Sequence, residues 1–369
     1  MSRRPDTGSL GGKTPSDMRL TLIGPIPPPI NGQSVVMHHM ASELAPHFEQ
    51  MRIADTSEGD SPKWARPLSA LFRSVNALRK VRGSDAVYIA VKAGKGMWLT
   101  AATAGLARMT GARVFLHHHS YAYVRERTSR MVALMRAAGS NAHHIVLSQS
   151  MAHDLGGVMP EIRRILVIGN AGLIDKGLLD LPIKADGGQL VLGHLSNLSL
   201  QKGIVEVVDL AVALHHANIP IRLVMGGPAS DATALTHLDR AARELGDLFE
   251  NRGPLTGDAK LDFFGAITHF IFPSRYAHEA VPLVLYEAMA AGAVCVSTRQ
   301  GSISEQLNGS PSLLSNGADS FVEEMLPALA VAAVSSATSQ ESRYAYLRAL
   351  AESERQLADF VTILVRRIL

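Results

Sequence analysis

Between Arg19 and Asn170 the chain alternates short, almost continuously apolar runs with stretches of helical spacing, and after residue 189 it does so again. That alternation is the strongest constraint on its fold. A strand buried on both faces reads as an unbroken apolar run, and only a parallel sheet with crossover helices on both sides buries strands that way. In the first half, Leu20–Ile23 and the runs DAVYIAV (85–91), ARVFLHHH (112–119), HHIVLSQS (143–150) and RRILVIGN (163–170) read as strands. Helical spacing begins near Ser34 with Val35, Val36, Met40 and Leu44, and WLTAATAGLARM fills the gap between two later strands. The stretch GLLDLPIKADGGQ (177–189) breaks the pattern as a Pro/Gly linker. QLVLGHLS, IRLVMGG, THFIFPS (268–274) and AVCVST (293–298) then read as strands, with GIVEVVDLAVALHHA, DATALTHLDRAARELG and PLVLYEAMAAG as helices between them. The expected fold class is α/β: two doubly wound domains facing a cleft, with ligands at the carboxyl ends of the strands. The expected division is a disordered tail (1–18), a first domain (19–180), a linker (181–189), a second domain (190–350), and a C-terminal helix (351–369) packing back on the first domain.

A length of 369 residues agrees with about two domains at roughly 150 residues each. One cysteine, Cys295, leaves no internal disulfide framework and no cluster of thiolate ligands, which points to a reducing, cytoplasmic setting. The opening MSRRPDTGSLGGKTPSDM has no apolar h-region and reads as a tail, not a signal peptide. No run approaches the ~18 uncharged apolar residues of a membrane span. Charge is uneven: residues 1–185 hold 23 Lys+Arg against 13 Asp+Glu (+10), and residues 186–369 hold 13 against 20 (−7). One half therefore suits a polyanion. RPLSALFRSVNALRKVRG (66–83) sets Leu68, Leu71, Phe72, Val75 and Leu78 at helical spacing among Arg73, Arg79, Lys80 and Arg82, and Arg125, Arg127, Arg130 and Arg136 form a second basic stretch. A core-facing helix with a solvated basic face gives the same pattern. With the charge of the whole half, an anionic membrane surface is the expected partner. Nucleic acid is not: aromatics are 5% and no stacking platform appears.

The stretch HEAVPLVLYEAMAAG (278–292) holds Glu279 and Glu287 inside an apolar run. An unpartnered buried carboxylate is costly, so each implies a partner or a ligand. Pro282 suits the first turn of a helix and Gly292 the residue past its end, so the helix spans about 282–291. Glu279 precedes that helix and Glu287 lies inside it. The backbone N–H groups of Ala280, Val281 and Leu283 would then face the cleft at a positive helix end.

SRYAHEAVPLVLYEAMAAGAVCVSTRQGSISE closely resembles the E-x7-E region of retaining glycosyltransferases of the GT-B fold, family 4. GPIPPPINGQS resembles that family's N-terminal loop, HHHSY its HxHG-like segment, LSNLSLQKG its diphosphate-lysine segment and RLVMGGP its glycine-ended strand. The pieces stand in family order from residue 20 to about 307. The resemblance implies two Rossmann-like domains, the second binding the donor and the first the acceptor. It implies transfer of a sugar from a UDP- or GDP-linked donor, with no separate cofactor and no metal. Glu279 would hold the sugar, Glu287 the ribose, and Lys202 the diphosphate. Gly32 would let backbone approach the phosphates, and His119 would contact sugar, phosphate or acceptor. The family often has an arginine where this chain has Ser196-Asn197, which removes a cation; Arg275 is the candidate to compensate, or else a rim residue.

The remaining residues agree with that chemistry. No DxD pair and no Ser–His–Asp or Cys–His arrangement is found, and His117 to His119, ending a strand, cannot all converge on one metal. His38, His39, His143 and His144 read as packing or surface residues. The expected acceptor is a glycan or lipid-linked precursor at the membrane's cytosolic face. Rival readings are a silent scaffold, which the Asn197 change keeps open, and a sugar-nucleotide epimerase. An NAD-dependent oxidoreductase is excluded, since GPIPPPING lacks the G-x-G-x-x-G spacing.

Overall fold

The computed structural model describes residues 18–28, 32–57, 66–187, 189–332 and 334–365, so the expected tail lies outside the described residues except for Met18. The first domain runs β1 (Arg19–Gly24), α1 (Gly32–Leu44), β2 (Gln50–Asp55), α2 (Arg66–Val81), β3 (Ala86–Ala90), α3 (Met97–Met109), β4 (Arg113–His117), α4 (Ser129–Ala138), β5 (His143–Val146), α5 (Gln149–Val158), β6 (Ile165–Val167). The second runs β7 (Leu190–Leu195), α6 (Ile204–His216), β8 (Ile221–Gly226), α7 (Ala232–Leu245), β9 (Phe249–Asn251), α8 (Gly257–Ala266), β10 (His269–Phe272), α9 (Leu283–Ala290), β11 (Val294–Thr298), α10 (Ile303–Gln306), β12 (Leu313–Ser315). Two further helices follow, α11 (Phe321–Ala330) and α12 (Ser336–Val365).

Each domain is built on six parallel strands, in the orders β2-β1-β3-β4-β5-β6 and β12-β11-β10-β7-β8-β9. The apolar runs are explained by burial on both faces. Val87 and Ile89 of β3 join one core cluster while Ala86, Tyr88 and Ala90 join another on the opposite face. In β10, Phe270 and Phe272 point one way and Ile271 the other. The first cluster is continuous across the two domains, holding Leu116 and Met131 together with Phe270, Leu285 and Tyr346.

Several elements escaped the sequence reading, among them α8, α11 and the strands β2, β9 and β12, whose short or half-exposed runs carry little apolar signal. The strand runs also overshoot. β4 ends at His117, β5 at Val146 and β6 at Val167, and the residues after them form loops at the carboxyl ends of the sheet. The C-terminal helix starts at Ser336, not 351. Its first turns are tied to the second domain by Ser342 Oγ to Ala293 O (2.6 Å) and Arg343 Nε to Ala290 O (2.9 Å). Further along, Ser353 Oγ donates to Gly169 O (2.6 Å), and Phe360 and Leu364 enter the first-domain core beside Leu20, Leu22 and Phe115. Arg113 caps its last turn by donating to Leu364 O (2.9 Å) and Ile363 O (2.7 Å). One helix, about 45 Å long at 1.5 Å per residue, thus belongs to both cores.

Candidate functional site

The carboxyl ends of the two sheets enclose a cleft of about 810 Å³. Gly32 and His119 reach it from the first domain, and Asn197, Lys202, Glu279, Ala280, Val281 and Leu283 from the second. Arg275 and Glu287 do not line it.

Lys202 owes its place to local backbone. It ends a 3₁₀ turn (Leu200–Lys202) whose preceding Ser199 accepts from the Lys202 N–H at 3.3 Å. Gly203 follows at φ +81°, and a Cβ there would stand 2.3 Å from Pro273 O, so the turn tolerates only glycine. The Lys202 ammonium donates to Glu279 Oε2 at 2.6 Å and lies 5.1 Å from the ring centre of Tyr276 and 5.5 Å from that of Phe272. Ser274 Oγ donates to the same Glu279 oxygen at 2.9 Å. Glu279 is 8% exposed and held from two sides.

Glu287 sits one layer deeper, inside α9, which begins at Leu283 with Pro282 as its N-cap. Lys260 of α8, itself on the cleft wall, donates to Glu287 Oε1 at 2.6 Å. Glu287 Oε2 is buried and has no hydrogen-bond partner among the described residues. Burial pushes the Glu287 carboxyl above the usual carboxylate range, and Lys260 opposes that rise. The expected ribose carboxylate is therefore separated from the cleft by a lysine.

Arg275 does not compensate for the missing arginine. Its guanidinium is engaged by Glu206 (2.6 Å) and Asp319 (2.7 Å), off the cleft wall. At Ser196-Asn197, where the resemblance implies an arginine, Ser196 Oγ bonds His194 Nε2 at 2.8 Å, and burial pushes His194 down to about 4, so it adds no charge at neutral pH. Gly32 opens α1 at the cleft, and among the described residues nothing stands within 4 Å of where its Cβ would be. The α1 N-terminus can therefore be approached closely.

The three consecutive histidines do not converge. His117 pairs through Nδ1 with Tyr88 Oη, His118 Nε2 lies 3.0 Å from His144 Nδ1, and His119 packs against His117 with ring centres 4.0 Å apart and planes tilted by 38°. Burial pushes His119 down to about 3, so it is neutral and offers one N–H and one lone pair. His143 stacks on Phe115 at 4.8 Å. Among the described residues no three His, Cys, Asp or Glu side chains are arranged to hold a metal ion.

The sequence reading missed Ser274, Lys260 and Asn170. Ser274 and Asn170 stand just past strands, where a search of strand ends would have found them. Lys260 had no such signal, because α8 itself went unread.

Residues 189–331 match the family model described as glycosyl transferases group 1. No curated protein matches the chain in sequence. Among solved structures, Anabaena HepE in complex with UDP is similar over 94% of this chain and 100% of its own, at 13% identity and TM-score 0.69. Sucrose-phosphate synthase from Thermosynechococcus elongatus is similar over 93% and 100%, at 16% identity and TM-score 0.65. The lipopolysaccharide outer core galactosyltransferase WaaB in its apo form is similar over 91% and 99%, at 14% identity and TM-score 0.62. The chain has the two-domain GT-B fold throughout, and its second domain carries the glycosyl transferases group 1 pattern.

Proposed function

We propose that this protein is a retaining glycosyltransferase that moves a sugar from a nucleoside-diphosphate donor to a hydroxyl of a glycan or lipid-linked acceptor. The observation that carries this reading is the junction of Lys202, Glu279 and Ser274 beside the N-terminus of α1 and the neutral His119 in one cleft. The HepE structures hold UDP or UDP-glucose, which supports a uridine donor.

In this reading Lys202, the Ala280–Leu283 backbone and the α1 N-terminus stabilise charge developing on the leaving diphosphate. Glu279 accepts hydrogen bonds from donor-sugar hydroxyls, and Glu287 with Lys260 serves the ribose end. Asn197 contacts the donor without charge. The acceptor hydroxyl attacks from the face the diphosphate leaves, and a leaving-phosphate oxygen takes its proton. Positioning and charge do the chemistry, with no protein nucleophile and no metal.

The first domain would rest on an anionic membrane at its cytosolic side. Phe72 (73% exposed), Val75 (38%) and Trp98 (54%) project from the adjacent helices α2 and α3, beside Arg73, Arg79 and Lys95. No helix among the described residues is long and apolar enough to cross a membrane.

The test is a thermal-shift screen of UDP, GDP, ADP and their sugars, with EDTA, on wild type and Lys202→Ala. Stabilisation by one nucleotide class, lost in the variant, is expected. Absence of any shift would favour a silent scaffold. A nucleotide sugar isomerised without acceptor would favour an epimerase.

A further inference from the structure

Glu279 is carried into the cleft by the segment 278–282, which belongs to no helix or strand. Its carbonyl oxygens are nevertheless held one after another. Tyr121 N donates to His278 O at 3.3 Å, Ser302 N to Ala280 O at 3.1 Å, Asn170 Nδ2 to Val281 O at 2.9 Å, and Gln306 Nε2 to Pro282 O at 2.9 Å. The Glu279 carbonyl packs on Gly301, where φ is +57° and a Cβ would stand 2.0 Å from that oxygen. Two of the four donors, Tyr121 and Asn170, come from the first domain. The other two come from the segment between β11 and the end of α10.

That second segment is itself fastened to the first domain. Ser302, 1% exposed, lies 2.6 Å from Ser148 Oγ and 3.0 Å from Tyr121 Oη. Glu305 crosses between domains and accepts from the backbone N–H groups of Gln149 (2.8 Å) and Ser150 (2.6 Å). These are the first two residues of α5, whose N–H groups have no partner within the helix and whose positive end favours a carboxylate. Ser148 caps the same helix by accepting from Met151 N at 3.1 Å. Surfaces that merely adhere need no donors aimed at four of the five carbonyls of one short segment.

We infer that Glu305 and Asn170 are positioning residues for Glu279: the two domains seat its segment only when closed on each other. Glu305 latches the β11–α10 segment to α5, and Asn170 holds the Val281 carbonyl directly. When the domains part, both supports leave together and Glu279 loses its fixed place beside Lys202. This inference rests on the proposed transferase reading for its catalytic consequence, and on geometry alone for the latch.

The test uses full-length Glu305→Gln and Asn170→Ala. Labels on Glu126→Cys and Asp239→Cys, both exposed and in different domains, report the interdomain distance, since the one native cysteine is fully buried. UDP affinity and turnover of UDP-glucose are read on the same proteins. The expected result is a wider distance distribution in both variants and kcat lower by about 10- to 100-fold, the cost of misplacing a reacting group by about 1 Å. KM and UDP affinity should change less than kcat, because Lys202 and Lys260 stay in place on the second domain while only the 280–282 backbone and the α1 N-terminus shift away. Unchanged distances and turnover would overturn the inference, as would a fall in UDP affinity in step with thermal stability, the mark of general damage. If Asn170→Ala fails to fold, Glu305→Gln, altered at the surface, decides alone. If the wild type neither binds nor turns over nucleotide, the transferase reading fails while the distances still report on the latch.

Discussion

The Lys202 ammonium is satisfied by Glu279 at 2.6 Å, so a donor diphosphate has to compete for it. Glu279→Gln keeps the side chain's shape and removes the competing charge. The pair is partly buried, with the lysine side chain 25% and the glutamate side chain 10% exposed. A charge-assisted bond of this kind is worth roughly 1.5–3 kcal/mol, and a neutral bond to the glutamine oxygen restores about 1 kcal/mol. The net release is about 0.5–2 kcal/mol, which corresponds to nucleoside diphosphate binding tighter by about 2- to 30-fold. Transfer should be lost in the same variant, because the carboxylate no longer meets the sugar hydroxyls. Isothermal titration with UDP and GDP at fixed salt, beside a transfer assay, reads both effects, and Lys202→Ala should lose most nucleotide affinity. Equal or weaker nucleotide binding by Glu279→Gln would refute the competition between carboxylate and diphosphate.

Lys260→Met leaves the buried Glu287 carboxylate without its donor and should cost about 1–3 kcal/mol in urea unfolding at pH 8. Because burial already raises the Glu287 pKa, that loss should shrink as pH falls and the carboxyl takes up a proton. His144, His194 and His269 are pushed down to about 4 by burial, so the unfolded chain binds more protons than the folded one below their ordinary value of about 6.5. Stability should therefore be full above that value and fall by about 2 kcal/mol per group by pH 5, checked by denaturant titration across pH. Phe360→Ala should cost about 3–5 kcal/mol and loosen the C-terminal half of α12, read by hydrogen exchange. Phe72→Ser with Trp98→Ser should weaken binding to anionic vesicles while leaving UDP affinity unchanged, measured by flotation.

What the sequence determined by itself was the frame. Continuous apolar strands such as DAVYIAV and THFIFPS, interleaved with helices and interrupted once near 177–189, are compatible with two parallel sheets and little else. Pro282 and Gly292 bracketed α9 to within a residue, because fixed φ and a left-handed turn are local properties. Spacing and resemblance together singled out Lys202, Glu279 and Gly32, which the fold gathers at one cleft. Partnership was a different matter, because it is set by residues far apart in the chain. Lys202 and Glu279 are 77 positions apart, and nothing local says they touch. Arg275 adjoins the motif in sequence yet is drawn off by Glu206 and Asp319. Glu287 kept its helix position, but only packing could place Lys260 between it and the cleft. The latch from Glu305 to α5 spans more than 150 residues and two domains. Periodicity records which face of an element is buried, while tertiary structure alone decides which buried charges meet.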